Sequence, residues 1–144
     1  MDTKTRGRIL AEARSWLGTP FHHKGRVKHV GVDCGGYIYG VYCQFLQLKP
    51  FPEHYAEDWT LHRSEEIYMD FIGEYVVEVP SPRPAGLALF KVGRCYGHGA
   101  ICTERRTLLH AWGRTKHGCV QEKERGFFQD KSGKLLPVKF FDLR

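Results

Sequence analysis

Apolar positions in the first third of the chain recur at helical spacing, whereas those beyond residue 74 fall in short β-branched and aromatic runs. Ile9, Leu10, Ala13, Trp16 and Leu17 follow one another at three and four residues, which predicts an amphipathic helix from Thr5 to Leu17, stopped by Gly18 and Pro20. Thr19 to Val32 holds Pro20, Gly25 and Gly31 with His22, His23 and His29 and sustains no period, so it reads as a loop. From Tyr37 the residues Ile38, Val41, Tyr42, Phe45 and Leu46 predict a second helix from about Cys34 to Leu48. Asp33 is a favoured N-cap residue and puts Cys34 in the first turn of that helix.

Lys49 to Ser64, "KPFPEHYAEDWTLHRS", reads as an ordered surface excursion before a short helix near Glu65 to Ile72. Strands are then expected at Glu74 to Val79, Leu87 to Val92, Gly99 to Thr103, Thr107 to Trp112 and Leu136 to Leu143, with "SPRPAG" at Ser81 to Gly86 as the clearest turn. Helices first and strands later suit an α+β fold with helices packed on one side of an antiparallel sheet. No internal repeat or low-complexity tract interrupts the chain.

Composition narrows this further. At 144 residues the chain fits a single domain spanning residues 1–144, and 42% hydrophobic residues with 26% charged describe a globular protein. No apolar run approaches the ~20 residues of a membrane span, so membrane insertion is not expected. "MDTKTRGRILAEARSW" carries Arg and Glu where a secretory signal needs an unbroken apolar core, so no export address is expected. The five cysteines, Cys34, Cys43, Cys95, Cys102 and Cys119, are odd in number and irregular in spacing, which argues against a disulfide framework. A net charge of +6 favours polyanionic surroundings, but only Arg105 and Arg106 are adjacent among the basic residues. Nucleic acid is therefore not the expected partner.

Candidate chemistry centres on "GVDCGGYI", Gly31 to Ile38. A cysteine in the opening turn of a helix meets the positive end of the dipole, which favours the thiolate. Gly35 and Gly36 would leave approach room for a substrate backbone, at a cost in helix propensity. Cys34 can equally be a small buried apolar residue, since thiols are often buried and inert.

A nucleophilic cysteine needs a base. His98, in "YGHGAI", and His110, in "LLHAW", lie on consecutive predicted strands joined by "ERRT", which would bring both imidazoles to one end of a hairpin. One could take the thiol proton while the other orients it. A loop histidine at 98 and a packed histidine beside Trp112 at 110 are the plainer alternatives. Metal binding has weak support: Cys95 and His98, or His117 and Cys119, lack the paired ligand spacing of a structural zinc site. No Gly-rich phosphate loop follows a strand.

In order and spacing, "WLGTPF", "DCGGYI", "PAGLALF", "GHGAI" and "LLHAW" resemble the NlpC/P60 cysteine peptidases, over about Ile9 to Trp112. "YAEDWTLHRSEEIY" resembles the subgroup of bacteriophage tails and gene transfer agents. The resemblance implies a papain-like α+β core with Cys34 as nucleophile, His98 as general base and acid, and His110 as the residue orienting His98. It places Phe21, Asp33 and Gly35 on the substrate side of the cleft. It also implies hydrolysis of peptidoglycan stem peptides, typically between D-γ-glutamyl and a diamino acid, through an acyl-enzyme and without a metal or cofactor. Partners would be those stem peptides and the hub or tip proteins of a phage-like tail, the protein being made in the host cytoplasm and acting at the cell wall. Three departures stand out: Phe21 where Tyr is common, Gly35 where Ser is common, and Ala85-Gly86 where the family has Gly-Asp. They leave open a tail component that keeps the fold for assembly without activity.

Overall fold

The computed structural model describes residues 1–50 and 72–144. The expected excursion at Lys49 to Ser64, beyond its first two residues, and the short helix near Glu65 to Ile72, up to its last residue, lie outside the described residues.

Helix α1 spans Thr3–Ser15 and starts two residues before the expected Thr5. Asp2 explains the early start, because its Oδ1 accepts from the Thr5 amide at 2.6 Å and caps the first turn. Ile9, Leu10 and Ala13 are buried along one face, and burying a residue such as Leu contributes about 1.5–3 kcal/mol.

Two-residue strands β1 (Arg26–Val27) and β2 (Gly31–Val32) form a small antiparallel ribbon inside the segment expected to be a loop. Such short strands leave no alternation to read, so the pattern alone could not show them. Helix α2 spans Cys34–Tyr42 and ends earlier than the spacing predicts. Phe45 and Leu46 both donate their amides to Tyr42 O, which closes the last turn. Their side chains still pack half-buried against the core, so the apolar period is real while the backbone has left the helix.

The main sheet has six antiparallel strands in the order β3-β8-β4-β5-β6-β7: β3 (Val76–Val79), β4 (Leu87–Val92), β5 (Cys95–Cys102), β6 (Thr107–Ala111), β7 (Val120–Glu124) and β8 (Val138–Leu143). Strand β5 begins four residues before the expected Gly99, so His98 lies inside it rather than at its start. Strand β7 was not expected; only Val120 in "VQEKE" is apolar, and its partner β6 supplies the ladder that the pattern does not announce. Strand β8, last in the chain, lies between β3 and β4.

Side chains alternate across the sheet and make two cores. Leu87, Leu89, Ile101, Leu109 and Ala111 pack with α1 and α2. Ala88, Phe90, Ala100, Cys102 and Leu108 pack on the other face with Phe128, which follows a short 3-10 turn at Arg125–Phe127. The helices are joined to each other by Tyr37, whose hydroxyl donates to Ala13 O at 2.9 Å and whose ring meets the edge of Trp16. No helix among the described residues is long and apolar enough to cross a membrane.

Candidate active site

Cys34 opens α2 because Asp33 stops the chain from being helical any earlier. Asp33 has extended backbone, its Oδ1 accepts from Gly36 N at 2.7 Å, and its Oδ2 accepts from Lys24 N at 2.9 Å. The carboxylate is buried and ties the preceding loop to the helix start. That fixes the direction in which the Cys34 side chain leaves the helix.

Gly36 has a different duty from the one its position suggests. A Cβ there would stand 2.4 Å from Gly25 O and 3.0 Å from Asp33 Oδ1, so the absent side chain makes room for the neighbouring loop and not for a substrate. Gly35 is buried in the same turn. Phe21 is half-buried with its ring against Gly113, where a Cβ would lie 2.5 Å from the ring, and its amide donates to Gly118 O at 2.9 Å. It thus packs on the loop between β6 and β7.

Strand β5 comes to Cys34 through a bulge. Phe90 pairs with His98 and Lys91 with Tyr96, so Gly97 is an extra residue on β5. Its carbonyl oxygen lies 4.0 Å from Cys34 Sγ, which sets the sulfur beside the residue preceding His98. Cys34 is half-buried.

His98 and His110 meet across the β5–β6 hairpin. Ile101 stands opposite Leu109, and carrying that register toward the hairpin's open end sets His98 diagonally across from His110. His98 Nε2 lies 2.8 Å from His110 Nδ1. His110 is fully buried, and its other nitrogen, Nε2, lies 3.1 Å from the side-chain amide nitrogen of Gln121 on β7. Aromatic rings close around the pair: Trp112 at 5.4 Å from the His98 ring, Phe128 at 4.7 Å and Phe127 at 5.6 Å from the His110 ring.

This apolar enclosure sets the charge state. Burial, with a smaller contribution from the Arg114 guanidinium, pushes His98 down to about 4. His110 is pushed down further, by burial first and then by His98 and Lys123. Both rings are therefore neutral at pH 7, and at rest they offer a lone pair rather than a charge. A half-buried thiol, a neutral imidazole unit and a helix N-terminus together can do acyl transfer: attack, proton relay and stabilisation of an oxyanion. Among the described residues no group of His, Cys, Asp and Glu could hold a metal ion.

Of the residues the sequence indicated, the fold joins His98 to His110 and sets the Cys34 sulfur beside Gly97, the residue before His98. Gln121 was missed, because a single Gln in a polar strand signals nothing until the register sets it opposite His110.

No family model matches the chain, and no curated protein matches it in sequence. Solved structures do match. The NlpC/p60 domain of the peptidoglycan hydrolase SagA superposes with a TM-score of 0.60 at 19% identity, covering 93% of this chain and 96% of that one. A Staphylococcus aureus protein of the NLP/P60 family, described as similar to a lipoprotein, gives 0.60 at 17% identity over 96% of this chain. NlpC1 of Trichomonas vaginalis gives 0.65 at 14% identity over 98% of this chain. This chain spans 42% and 44% of those last two, so it corresponds to under half of each. The fold is thus the papain-like α+β fold of NlpC/P60 domains.

Proposed function

We propose that the protein is a cysteine peptidase that hydrolyses amide bonds in peptidoglycan stem peptides. The observation that carries this is the placement of Cys34, at the opening of α2, beside the strand whose His98 is hydrogen-bonded to His110. The peptidoglycan hydrolase among the structural neighbours supports the choice of substrate.

The geometry supports the following chemistry. His98 takes the thiol proton on Nδ1 as Cys34 Sγ attacks the carbonyl carbon, and the negative charge on the carbonyl oxygen falls at the N-terminus of α2, with the Cys34 backbone N–H as a donor. The C–N bond breaks as His98 returns the proton to the leaving amine, which leaves a thioester. Water, deprotonated by His98, then attacks the thioester and expels the Cys34 sulfur. The bond cleaved is that between D-γ-glutamyl and a diamino acid, and the setting is a phage-like tail that opens the wall locally for DNA entry. The motifs "DCGGYI" and "YAEDWTLHRSEEIY" support these finer points. The net charge of +6 assists encounter with an anionic envelope, an advantage that salt weakens.

Mass spectrometry of purified peptidoglycan, digested with wild type and with Cys34→Ala, tests the reading and identifies the bond. Cleavage by wild type alone supports it. Equal cleavage by both, or by neither, overturns it; the second result leaves the assembly reading, in which Tyr55 to His62 docks a hub protein, a segment outside the described residues.

A further inference from the structure

His110 is fully buried, and a buried imidazole needs a partner for each ring nitrogen. Nδ1 has His98 Nε2 at 2.8 Å, and Nε2 has the Gln121 amide at 3.1 Å. The second contact is built into the sheet, because β6 and β7 pair with His110 directly opposite Gln121. The two side chains leave the same face as cross-strand neighbours.

A neutral imidazole carries one proton, so along this series each choice dictates the next. With the Gln121 NH2 toward His110, Nε2 is an acceptor, and the His110 proton sits on Nδ1 and is given to His98 Nε2. His98 then holds its own proton on Nδ1, the nitrogen that the proposed chemistry assigns to Cys34, and has no lone pair there to receive the thiol proton. A half-turn of the amide interchanges two atoms of nearly equal size and reverses the whole series. Gln121 Oε1 then accepts from His110 Nε2–H, His110 Nδ1 accepts from His98 Nε2–H, and His98 Nδ1 carries a lone pair.

We propose that Gln121 is a positioning residue of this site: its carbonyl oxygen, turned to His110 Nε2–H, selects the tautomers in which His98 Nδ1 can take the proton of Cys34. The proposal rests on the reading of Cys34 and His98 as nucleophile and base. Gln121 acts only through His110. The charged groups that face the pair among the described residues are Arg114, from the loop after β6, and Lys123 on β7, while Arg125 from the 3-10 turn stands over Phe90, whose ring meets His98. Cys34 on α2 is the further titratable group. Arg and Lys side chains only donate, so none of these cations can replace Gln121 as the acceptor.

The test follows alkylation of Cys34 by iodoacetamide against pH, beside muropeptide cleavage, in wild type, Gln121→Met and Gln121→Glu. Met fills a similar volume without an acceptor of comparable strength, and Glu keeps the acceptor while losing the donor. Gln121→Met should slow alkylation at neutral pH, and lower kcat with KM little changed, by about tenfold or more. Gln121→Glu should stay within about threefold of wild type at its optimum and move both limbs of the profile to higher pH, since an added negative charge raises the pKa of thiol and imidazole alike. Wild-type rates in Gln121→Met, or a loss in Gln121→Glu equal to that in Gln121→Met, overturn the proposal. Should Gln121→Met fail to fold in a thermal melt, the rate of Gln121→Glu at its own optimum decides: a rate within about threefold of wild type supports the acceptor role and a loss of about tenfold or more overturns it. Alkylation needs no substrate, so if wild type cleaves no muropeptide the peptidoglycan reading fails and Gln121 is judged on alkylation alone.

Discussion

His98 Nε2 stands 2.8 Å from His110 Nδ1, with the ring planes 81° apart, so the two imidazoles form one hydrogen-bonded unit carried by adjacent strands. Removing the second ring should free the first to turn. His110→Asn, whose side-chain carbonyl can still accept from His98 Nε2–H, should lose about tenfold in kcat, and His110→Ala about a hundredfold or more. Steady-state kinetics on a muropeptide separate the two, and equal activity in both would count against an orienting role.

The buried rings also couple stability to pH. Folded, His98 titrates at about 4 and His110 lower still, both held down chiefly by burial. Unfolded, each titrates near about 6.5. Below that value the unfolded chain takes up protons that the folded protein refuses, so stability is full above about pH 6.5 and falls as pH drops toward about 4. The slope is at most about 1.4 kcal/mol per pH unit for each ring. Urea midpoints at neutral and mildly acidic pH measure it, and His110→Asn should flatten the dependence.

Asp33 holds two backbone amides, Gly36 N and Lys24 N, from a buried carboxylate. Asp33→Ala leaves both without that acceptor and should cost about 2–3 kcal/mol, whereas Asp33→Asn keeps one carbonyl oxygen for the cap and should cost about half as much. Urea denaturation reads both. A loss in Asp33→Ala below about 0.5 kcal/mol would mean that the helix start does not depend on this residue.

Exposure and reactivity should part company among the thiols. Cys43 is the exposed cysteine, yet partial burial of its sulfur raises its pKa. Cys102 is buried and pushed up to about 12. Cys34, half-buried at the positive end of α2, should be alkylated first at pH 7, by about tenfold over Cys43, with Cys95 and Cys102 unlabelled in the folded protein. Peptide mapping after a timed iodoacetamide pulse gives the order, and uniform slow labelling would speak against an activated thiol.

The meeting of His98 and His110 was legible because a short charged turn between two apolar runs fixes a hairpin, and a hairpin fixes which residues can touch. The bulge at Gly97 was not, since a bulge depends on the partner strand's register and not on its own residues. Gly36 misled for a related reason: the glycine that looks like open space beside the sulfur is filled by the carbonyl of Gly25, eleven positions earlier in the chain. Strand β7, and Gln121 with it, stayed hidden because its place in the sheet comes from its neighbour's ladder rather than from an apolar face of its own. In each case the missing information is tertiary, whereas Asp33 and Cys34 follow from local rules of helix capping.

The position of β8 between β3 and β4 has a consequence for how the molecule comes to exist. During synthesis the ribosome delivers β3 through β7 before the strand that must separate β3 from β4. Until Val138 to Leu143 emerge, the nascent sheet presents the bare edge of β4, where Leu87 to Phe90 later pair with β8. That edge is open to a second chain or to β3 itself for the whole of that interval, so completion of the sheet is a late, long-range event. The interval between the emergence of β7 and that of β8 is thus the one in which the β4 edge lies open to mispairing, the kind of exposed edge that chaperones shield.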